Sequence, residues 1–264
     1  MKVVVCTKQT PSTTATFTVN NGVVSWDDPG GKPNVVNPWD EYAIEEAIRL
    51  KENHGAEAAI ALTAGGESAD DVLKTALAMG CTEAIRVEDA GFAGSGSRGT
   101  ANILAAAIKK TGADIAFFGK QAIDGDTGLT PVMAARALGW TPLTYVSAIK
   151  SVSDDSITVE RQIETGTQTV TAPLPVVISV VKEINEPRYP SFMGIRKASR
   201  ATIPVWSAAD LDIEGAYGPG SAKVDWSEIT QPPSRDTVVE FISGDSAEEI
   251  AAALATKLFE EKVI

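Results

Sequence analysis

The chain has 264 residues, 44% of them hydrophobic, and a formal net charge of −12. That length suffices for one large α/β domain with an appendage, and the acidic balance argues against non-specific binding to nucleic acid or to an anionic membrane, whose phosphates would repel it. His54 is the only histidine, and Cys6 and Cys81 are the only cysteines, without CxxC spacing. Catalytic triads, zinc ribbons, thioredoxin-like sites and His-rich metal centres are therefore not expected.

The N-terminal MKVVVC holds one lysine and four apolar residues before Thr7, too short for a signal-peptide core. No stretch approaches the roughly 20 apolar residues that span a bilayer. The expected setting is the cytoplasm, or the mitochondrial matrix in a eukaryote, without membrane insertion. Lys2–Cys6 reads as a strand ending in a small buried residue, Cys6. Thr16–Val19 and Val23–Trp26 flank Asn20-Asn21-Gly22, a hairpin signal. Pro38 opens a helix with Ala43, Ile44, Ala47 and Ile48 on one apolar face, and the spacing predicts that Glu45, Glu46 and Arg49 face water. Ala58–Leu62 reads as a buried strand and Ser68–Met79 as a helix with Val72, Leu73, Ala76 and Leu77 inward, Cys81 lying at its exit. Ala84–Val87, Thr100–Lys110 and Asp114–Phe118 repeat the unit. Such alternation predicts a doubly wound, mostly parallel sheet with helices on both faces.

Two glycine-rich turns in this region read differently. Ala64-Gly65-Gly66 ends one strand and opens the Ser68 helix, so its backbone can approach a ligand. Gly94-Ser-Gly-Ser-Arg-Gly99 matches GxGxxG, but the six residues Glu88–Ala93 separate it from the preceding strand. The dinucleotide fingerprint needs an immediate strand-to-turn transition, so this stretch reads as a flexible connection.

Gly119–Thr130, GKQAIDGDTGLT, follows the apolar run Ile115–Phe118 and leads into the helical Val132–Leu138. A glycine-rich turn between a buried strand and a helix places backbone N–H groups and the helix's positive end at the carboxyl edge of a sheet, where nucleotides bind. Asp124 and Asp126 suit ribose hydroxyls or an adenine amine, and the N–H groups near Thr127–Thr130 suit the phosphate. Lys120 is not followed by Ser or Thr, so the loop that cradles a hydrolysable triphosphate is absent. An ordinary surface turn remains the competing reading of this stretch taken alone.

After Trp140 the pattern changes to Thr144–Ile149, Ile157–Gln162, Thr167–Thr171 and Val176–Val181, a β-meander added to the sheet. Asn185–Pro204 carries Arg188, Arg196, Lys197 and Arg200 against the single acid Glu186, with Tyr189, Phe192, Met193 and Ile195 among them. Pro187, Pro190 and Pro204 argue against a regular helix across it. An apolar tip framed by cations on an irregular segment reads as a docking element. From Val205 the chain is polar and turn-rich until Ser246–Lys262, where Ser246 and Glu249 have capping-box spacing and Ile250, Leu254 and Leu258 share one face. This arm suits packing on another chain as well as on its own domain.

Several of these stretches closely resemble the β subunit of electron transfer flavoprotein: Asn37-Pro38-Trp39-Asp40 before the first long helix, Thr75–Gly80, the Gly-Lys-Gln-Ala-Ile-Asp run at 119–124, and Asn185-Glu-Pro-Arg-Tyr189. The resemblance runs in order from Lys2 to about Pro204 and weakly through Pro232–Arg235. It implies an adenine-nucleotide-binding α/β domain over 1–184, a partner-recognition loop over 185–204, and a C-terminal arm over 205–264 packing on an α subunit. It implies an electron carrier with no catalytic side chains of its own, sharing an FAD held mainly by the α subunit. AMP is implied as a structural ligand of Cys6, Asn37, Pro38, Trp39, Asp40, Ala64, Gly119, Lys120, Gln121, Ala122, Ile123, Asp124, Gly125, Asp126, Thr127, Gly128, Leu129 and Thr130. Trp39 is expected to face the flavin. Electrons would come from acyl-CoA and related dehydrogenases, as in fatty acid oxidation, and pass to a membrane quinone reductase. Recognition would fall to Asn185, Glu186, Pro187, Arg188, Tyr189, Phe192, Met193, Ile195, Arg196 and Lys197. The family commonly has leucine where this chain has Phe192. Asp124-Gly125-Asp126-Thr127 looks like the electron-bifurcating branch, where a second FAD replaces AMP, while Thr130 points back to AMP, the expectation adopted. A universal-stress-type nucleotide-sensing module is the alternative from another class, and it has no use for the 185–204 loop.

Overall fold

Val3, Val4, Val5 and Cys6 can all be buried only in a strand covered on both faces. In the computed structural model, which describes residues 1–27, 34–224, 226–233 and 238–264, this strand, β1 (Val3–Cys6), lies inside a large sheet. The chain continues through β2 (Gln9–Pro11), β3 (Thr16–Asn20), β4 (Val23–Asp27), β5 (Asn34–Val36), α1 (Pro38–His54), β6 (Ala59–Ala64), α2 (Asp70–Met79), β7 (Glu83–Val87), α3 (Gly96–Thr111) and β8 (Ile115–Gly119). It then forms α4 (Thr130–Leu138), β9 (Thr141–Val152), β10 (Ser156–Ile163), β11 (Gly166–Pro173), β12 (Val176–Val180), α5 (Phe192–Ala198), β13 (Val205–Trp206) and α6 (Ala247–Glu260). Among the described residues nine strands form one sheet in the order β11-β10-β9-β12-β8-β1-β6-β7-β13.

The pairs β12–β8, β8–β1, β1–β6, β6–β7 and β7–β13 are parallel. Alternation along β1 divides the core: Val3 and Val5 join α1 and α2 on one face, while Val4 and Cys6 join α3 and α4 on the other. The doubly wound, mostly parallel α/β expectation therefore holds. Cys6 and Cys81 are buried free thiols. The hairpin β3–β4 turns at Asn21 and Gly22, with φ of 52° and 76°. No helix is long and apolar enough to cross a membrane among the described residues.

Three expectations need correction. Val176–Val181 does not continue the meander: β9, β10 and β11 are antiparallel neighbours, but β12 returns to lie parallel between β8 and β9. Its uniformly buried Val-Val-Ile-Ser-Val sequence belongs in the middle of a sheet covered on both faces. Asn185–Pro204 is not irregular throughout, because α5 forms between its prolines, capped by the Ser191 hydroxyl accepting from the Gly194 N–H at 2.9 Å. The prolines bracket this short helix without entering it. A Cβ on Gly194 would collide with the Ala78 carbonyl, so this glycine lets α5 lie against the end of α2.

The third correction concerns the arm. The chain divides into a unit over Met1–Glu228 and a second over Ile229–Ile264. Residues from Val205 onward first complete the α/β unit: β13 extends the sheet, Trp206, Leu211 and Ile213 pack on the core, and the buried Ser221 hydroxyl donates to the Ser95 carbonyl at 2.8 Å. In the second unit, α6 is capped by Ser246, whose hydroxyl accepts from the Glu249 N–H at 3.2 Å, while Glu249 accepts from the Asp245 N–H at 3.0 Å. No residue of α6 is buried. Ile250 and Leu254 of its apolar stripe are 37% and 45% exposed. Ser234 and Arg235, where the weak tail of the family resemblance ends, lie outside the described residues.

Candidate functional site

From β1 the chain winds one way through β6 and β7, then returns to β8 on the other side of β1. Connections therefore diverge between the carboxyl ends of β1 and β8, which leaves a crevice at this switch point. Its volume is about 370 Å³. The floor comes from Cys6, Thr7 and Lys8 after β1 and from Phe118 and Gly119 at the end of β8.

The start of α1 holds the loop after β8. Asn37, 1% exposed, donates from Nδ2 to the Gln121 carbonyl at 2.8 Å and accepts at Oδ1 from the Ile123 N–H at 3.2 Å. Asp40 accepts from the backbone N–H groups of Lys8 at 2.7 Å and Gly119 at 3.1 Å. A Cβ on Gly119 would lie 2.6 Å from the Trp39 backbone carbon, so only glycine lets β8 end beneath this turn. Lys8 Nζ donates to both Asp124 carboxylate oxygens at 2.7 Å. Asp126 adopts a left-handed φ of 52° and is bonded by the Gln121 side chain. A non-glycine residue in that conformation is held by its surroundings, which marks the loop as a built feature.

Burial pushes the Asp40 carboxyl up to about 7, against hydrogen bonds from Asn37, Lys8 and Gly119 that favour the anion. Because the folded value exceeds the unfolded one near 3.9, the stability this group contributes is full below about pH 4 and declines toward about pH 7. Burial, then the Asp40 charge, push the Cys6 thiol well above its ordinary value, which leaves it protonated and no nucleophile.

Of the residues read from the sequence, Cys6, Asn37, Asp40, Ala64, Gly119, Gln121, Ala122, Gly125, Asp126, Thr127, Gly128 and Thr130 line the crevice. Pro38, Trp39, Lys120, Ile123, Asp124 and Leu129 do not. Ile123 and Leu129 are 36% and 48% exposed, and the Lys120 ammonium lies 4.4 Å from the Trp39 ring centroid. Sequence reading missed Thr7, Lys8, Gly96, Ser97, Thr100, Leu104, Phe118 and Pro131. The signal for Gly96 and Ser97 was the GxGxxG match itself, read as a flexible connection for its distance from the strand. A short 3-10 turn at Ala90–Phe92 takes up the intervening residues, and α3 begins at the crevice wall. Removing the Asn37 side chain should cost about 1 kcal/mol for each of its two loop bonds, and so lower the melting temperature by about 4–8 °C. Calorimetry of Asn37→Ala checks this, and an unchanged transition would show that the loop holds itself.

The 185–200 segment presents the second feature. Tyr189, Phe192, Met193 and Ile195 are 95%, 80%, 69% and 53% exposed. Its base, in contrast, is clamped to α1. The Arg188 guanidinium meets Glu45 (2.8 and 3.1 Å) and Glu52 (two bonds at 2.8 Å). Asn185 Nδ2 donates to the Tyr42 carbonyl and to Glu46, both at 3.0 Å. Glu45 and Glu46, predicted to face water, are therefore buried. The helical period correctly separated them from the Ile44 face but held no sign that the chain would return from β12 to cover them. Burial raises the Glu45 carboxyl, yet bonds from Arg188 and Arg49 outweigh it and hold the group below its ordinary value.

This is the arrangement of a doubly wound α/β protein with a ligand crevice at its switch point and an exposed apolar tip on a clamped base. Residues 28–211 match the electron transfer flavoprotein domain. The chain is 35% identical to electron transfer flavoprotein subunit beta of Clostridium acetobutylicum and 36% identical to that of Megasphaera elsdenii. It is 34% identical to caffeyl-CoA reductase-Etf complex subunit CarD of Acetobacterium woodii, and all three alignments cover 100% of both chains. The chain belongs to the electron transfer flavoprotein family.

Proposed function

We propose that this chain is the β subunit of a heterodimeric electron transfer flavoprotein and that its switch-point crevice holds AMP. The observation that carries the reading is the loop 119–130, clamped by Asn37 and Asp40 and running into the N-terminus of α4. There Pro131 has no N–H and the Met133 N–H already bonds the Leu129 carbonyl at 3.0 Å, which leaves the N–H groups of Thr130 and Val132 to suit a phosphate. Asp126, which lines the crevice, suits ribose hydroxyls or an adenine amine, in keeping with a ligand that presents donors as well as an anion, whereas Asp124 is engaged by Lys8.

FAD, held mainly by an α subunit, supplies the redox chemistry when bound. This chain's own residues position and recognise. Trp39, at the first turn of α1, is the aromatic offered to the flavin. The exposed tip from Tyr189 to Lys197 meets acyl-CoA or related dehydrogenases, and electrons leave to a membrane quinone reductase. The cytoplasm is the proposed setting, or the mitochondrial matrix in a eukaryote. The segment 229–264 is proposed to pack on the α subunit, which would cover the uncovered stripe of α6.

A second reading has its own observation. Gly96, Ser97 and Thr100 at the start of α3 line the same crevice as the start of α4, so two helix N-termini serve one site. That favours a diphosphate, as in a second FAD replacing AMP. Heat release of nucleotide from the co-purified heterodimer decides between them. One AMP and one FAD per heterodimer are expected. Two FAD and no AMP would establish the second reading, and absence of any adenine nucleotide beyond the shared FAD would overturn the crevice assignment.

A further inference from the structure

Arg188 belongs by composition to the ring of cations around the docking tip, but its bonds place it elsewhere. The guanidinium and the backbone N–H of Arg188 together make five hydrogen bonds to Glu45 and Glu52. Its charge is thus neutralised by two carboxylates of this same chain, whereas Arg196, Lys197 and Arg200 make no ion pair among the described residues. The contact residues on α1, Tyr42, Glu45, Glu46, Arg49 and Glu52, recur at helical spacing as a single stripe. Along it run Asn185, the Glu186 carbonyl and Arg188.

Exposure changes abruptly at the end of that stripe. Arg188 is clamped, and Tyr189, the next residue, is 95% exposed. The seven-residue α5 that follows is too short to hold its own conformation in water. It is fixed where it packs along α2, with Gly194 against the Ala78 carbonyl and Ala198 buried, and where the chain enters from Arg188. A flexible tip would have to lose its freedom on meeting a partner, so a base fixed beforehand lowers the ordering cost of docking.

The geometry points to Arg188 as a positioning residue. It does not touch the partner but bridges Glu45 and Glu52 so that Phe192 and its neighbours are presented in one orientation. This rests on the reading of 189–200 as the docking element. The bidentate fork is essential, since a lysine ammonium meets two carboxylates only as a point charge.

The test must separate orientation from simple stability, because removing Arg188 alone leaves the buried Glu45 carboxylate short of a partner. In the double variant Glu45→Gln/Arg188→Met both charges are gone, and the co-expressed heterodimer should melt within about 3 °C of the unaltered protein. Its amides over 189–200 should nevertheless exchange with deuterium about ten-fold faster, with other segments unchanged. In dye reduction coupled to a purified acyl-CoA dehydrogenase and its acyl-CoA, the KM for the heterodimer should rise about five-fold at constant kcat. Arg188→Lys should fall between the two proteins in exchange and in KM. If exchange and KM return to normal together with the melting temperature, Arg188 is merely structural and the proposal is overturned, with docking by the tip left intact. If Phe192→Ala leaves KM unchanged, the docking reading fails and carries the proposal with it.

Discussion

Arg188→Ala is expected to lower the melting temperature of the purified chain by about 6–12 °C. The change withdraws the guanidinium from Glu45, whose side chain is 3% exposed, and so leaves a buried carboxylate with Arg49 at 2.8 Å as its one charged partner beside the backbone N–H of residue 188 at 3.2 Å. Breaking a buried ion pair from one side costs about 3–5 kcal/mol, and the surviving Arg49 contact together with the 35% exposure of Arg188 places this case at about 3 kcal/mol. At about 2–4 °C per kcal/mol for a unit of this size, the shift follows. The pH dependence has a definite sign. Arg188 holds Glu52 below its ordinary value, and Glu45 is held low by Arg188 and Arg49 against the effect of burial. Folded values below the unfolded ones mean that this stabilisation is complete above about pH 4.3 and is lost as the pH falls through the folded values. Melting curves from pH 7 down to 3 should therefore converge for the two proteins at the acid end. Parallel curves at all pH values would show that packing, not charge, is what Arg188 contributes.

Phe192→Ala should do the opposite, sparing stability and weakening docking. The side chain is 80% exposed at the first position of α5, so its removal takes little apolar area out of the folded core. An apolar anchor beside Met193 and Ile195, with Arg196, Lys197 and Arg200 around it, has the makeup of an interface hot spot. The KM for the heterodimer in dehydrogenase-coupled dye reduction should rise about ten-fold, equivalent to about 1.4 kcal/mol. Added salt should raise KM in both proteins, because the cations act mainly on the encounter rate. Tyr217, whose ring packs edge-on against Phe92 at 5.4 Å, is the control, and its truncation should leave KM alone. Loss of folding in Phe192→Ala would make the residue part of the core. No change in either quantity would make the segment a connector.

Local signals carried much of the fold. Val3–Cys6, Ile115–Phe118 and the Ile44 face of α1 are apolar with the periods that their elements require, so the sheet, its helices and the switch-point crevice follow from short-range pattern and the handedness of crossovers. The Gly119–Thr130 loop was legible for a local reason too, since glycines between a buried strand and a helix let the backbone approach a ligand at the helix N-terminus. Other features rest on contacts between residues far apart in the chain, which no window of sequence contains. β12 enters the sheet between β8 and β9, parallel to both, although its sequence follows directly on the antiparallel strands. Gly96 and Ser97 reach the crevice because a turn at Ala90–Phe92 closes a distance that looked too long. Glu45 and Glu46 look solvent-facing on a helical wheel, yet Asn185 and Arg188 cover them from more than 130 residues away. The sequence by itself determined the class of fold, the family and part of the crevice's lining. Only the tertiary structure decided which cations are spent inside the chain and which remain outside it, because a charge's role depends on the partner that folding brings within hydrogen-bond reach.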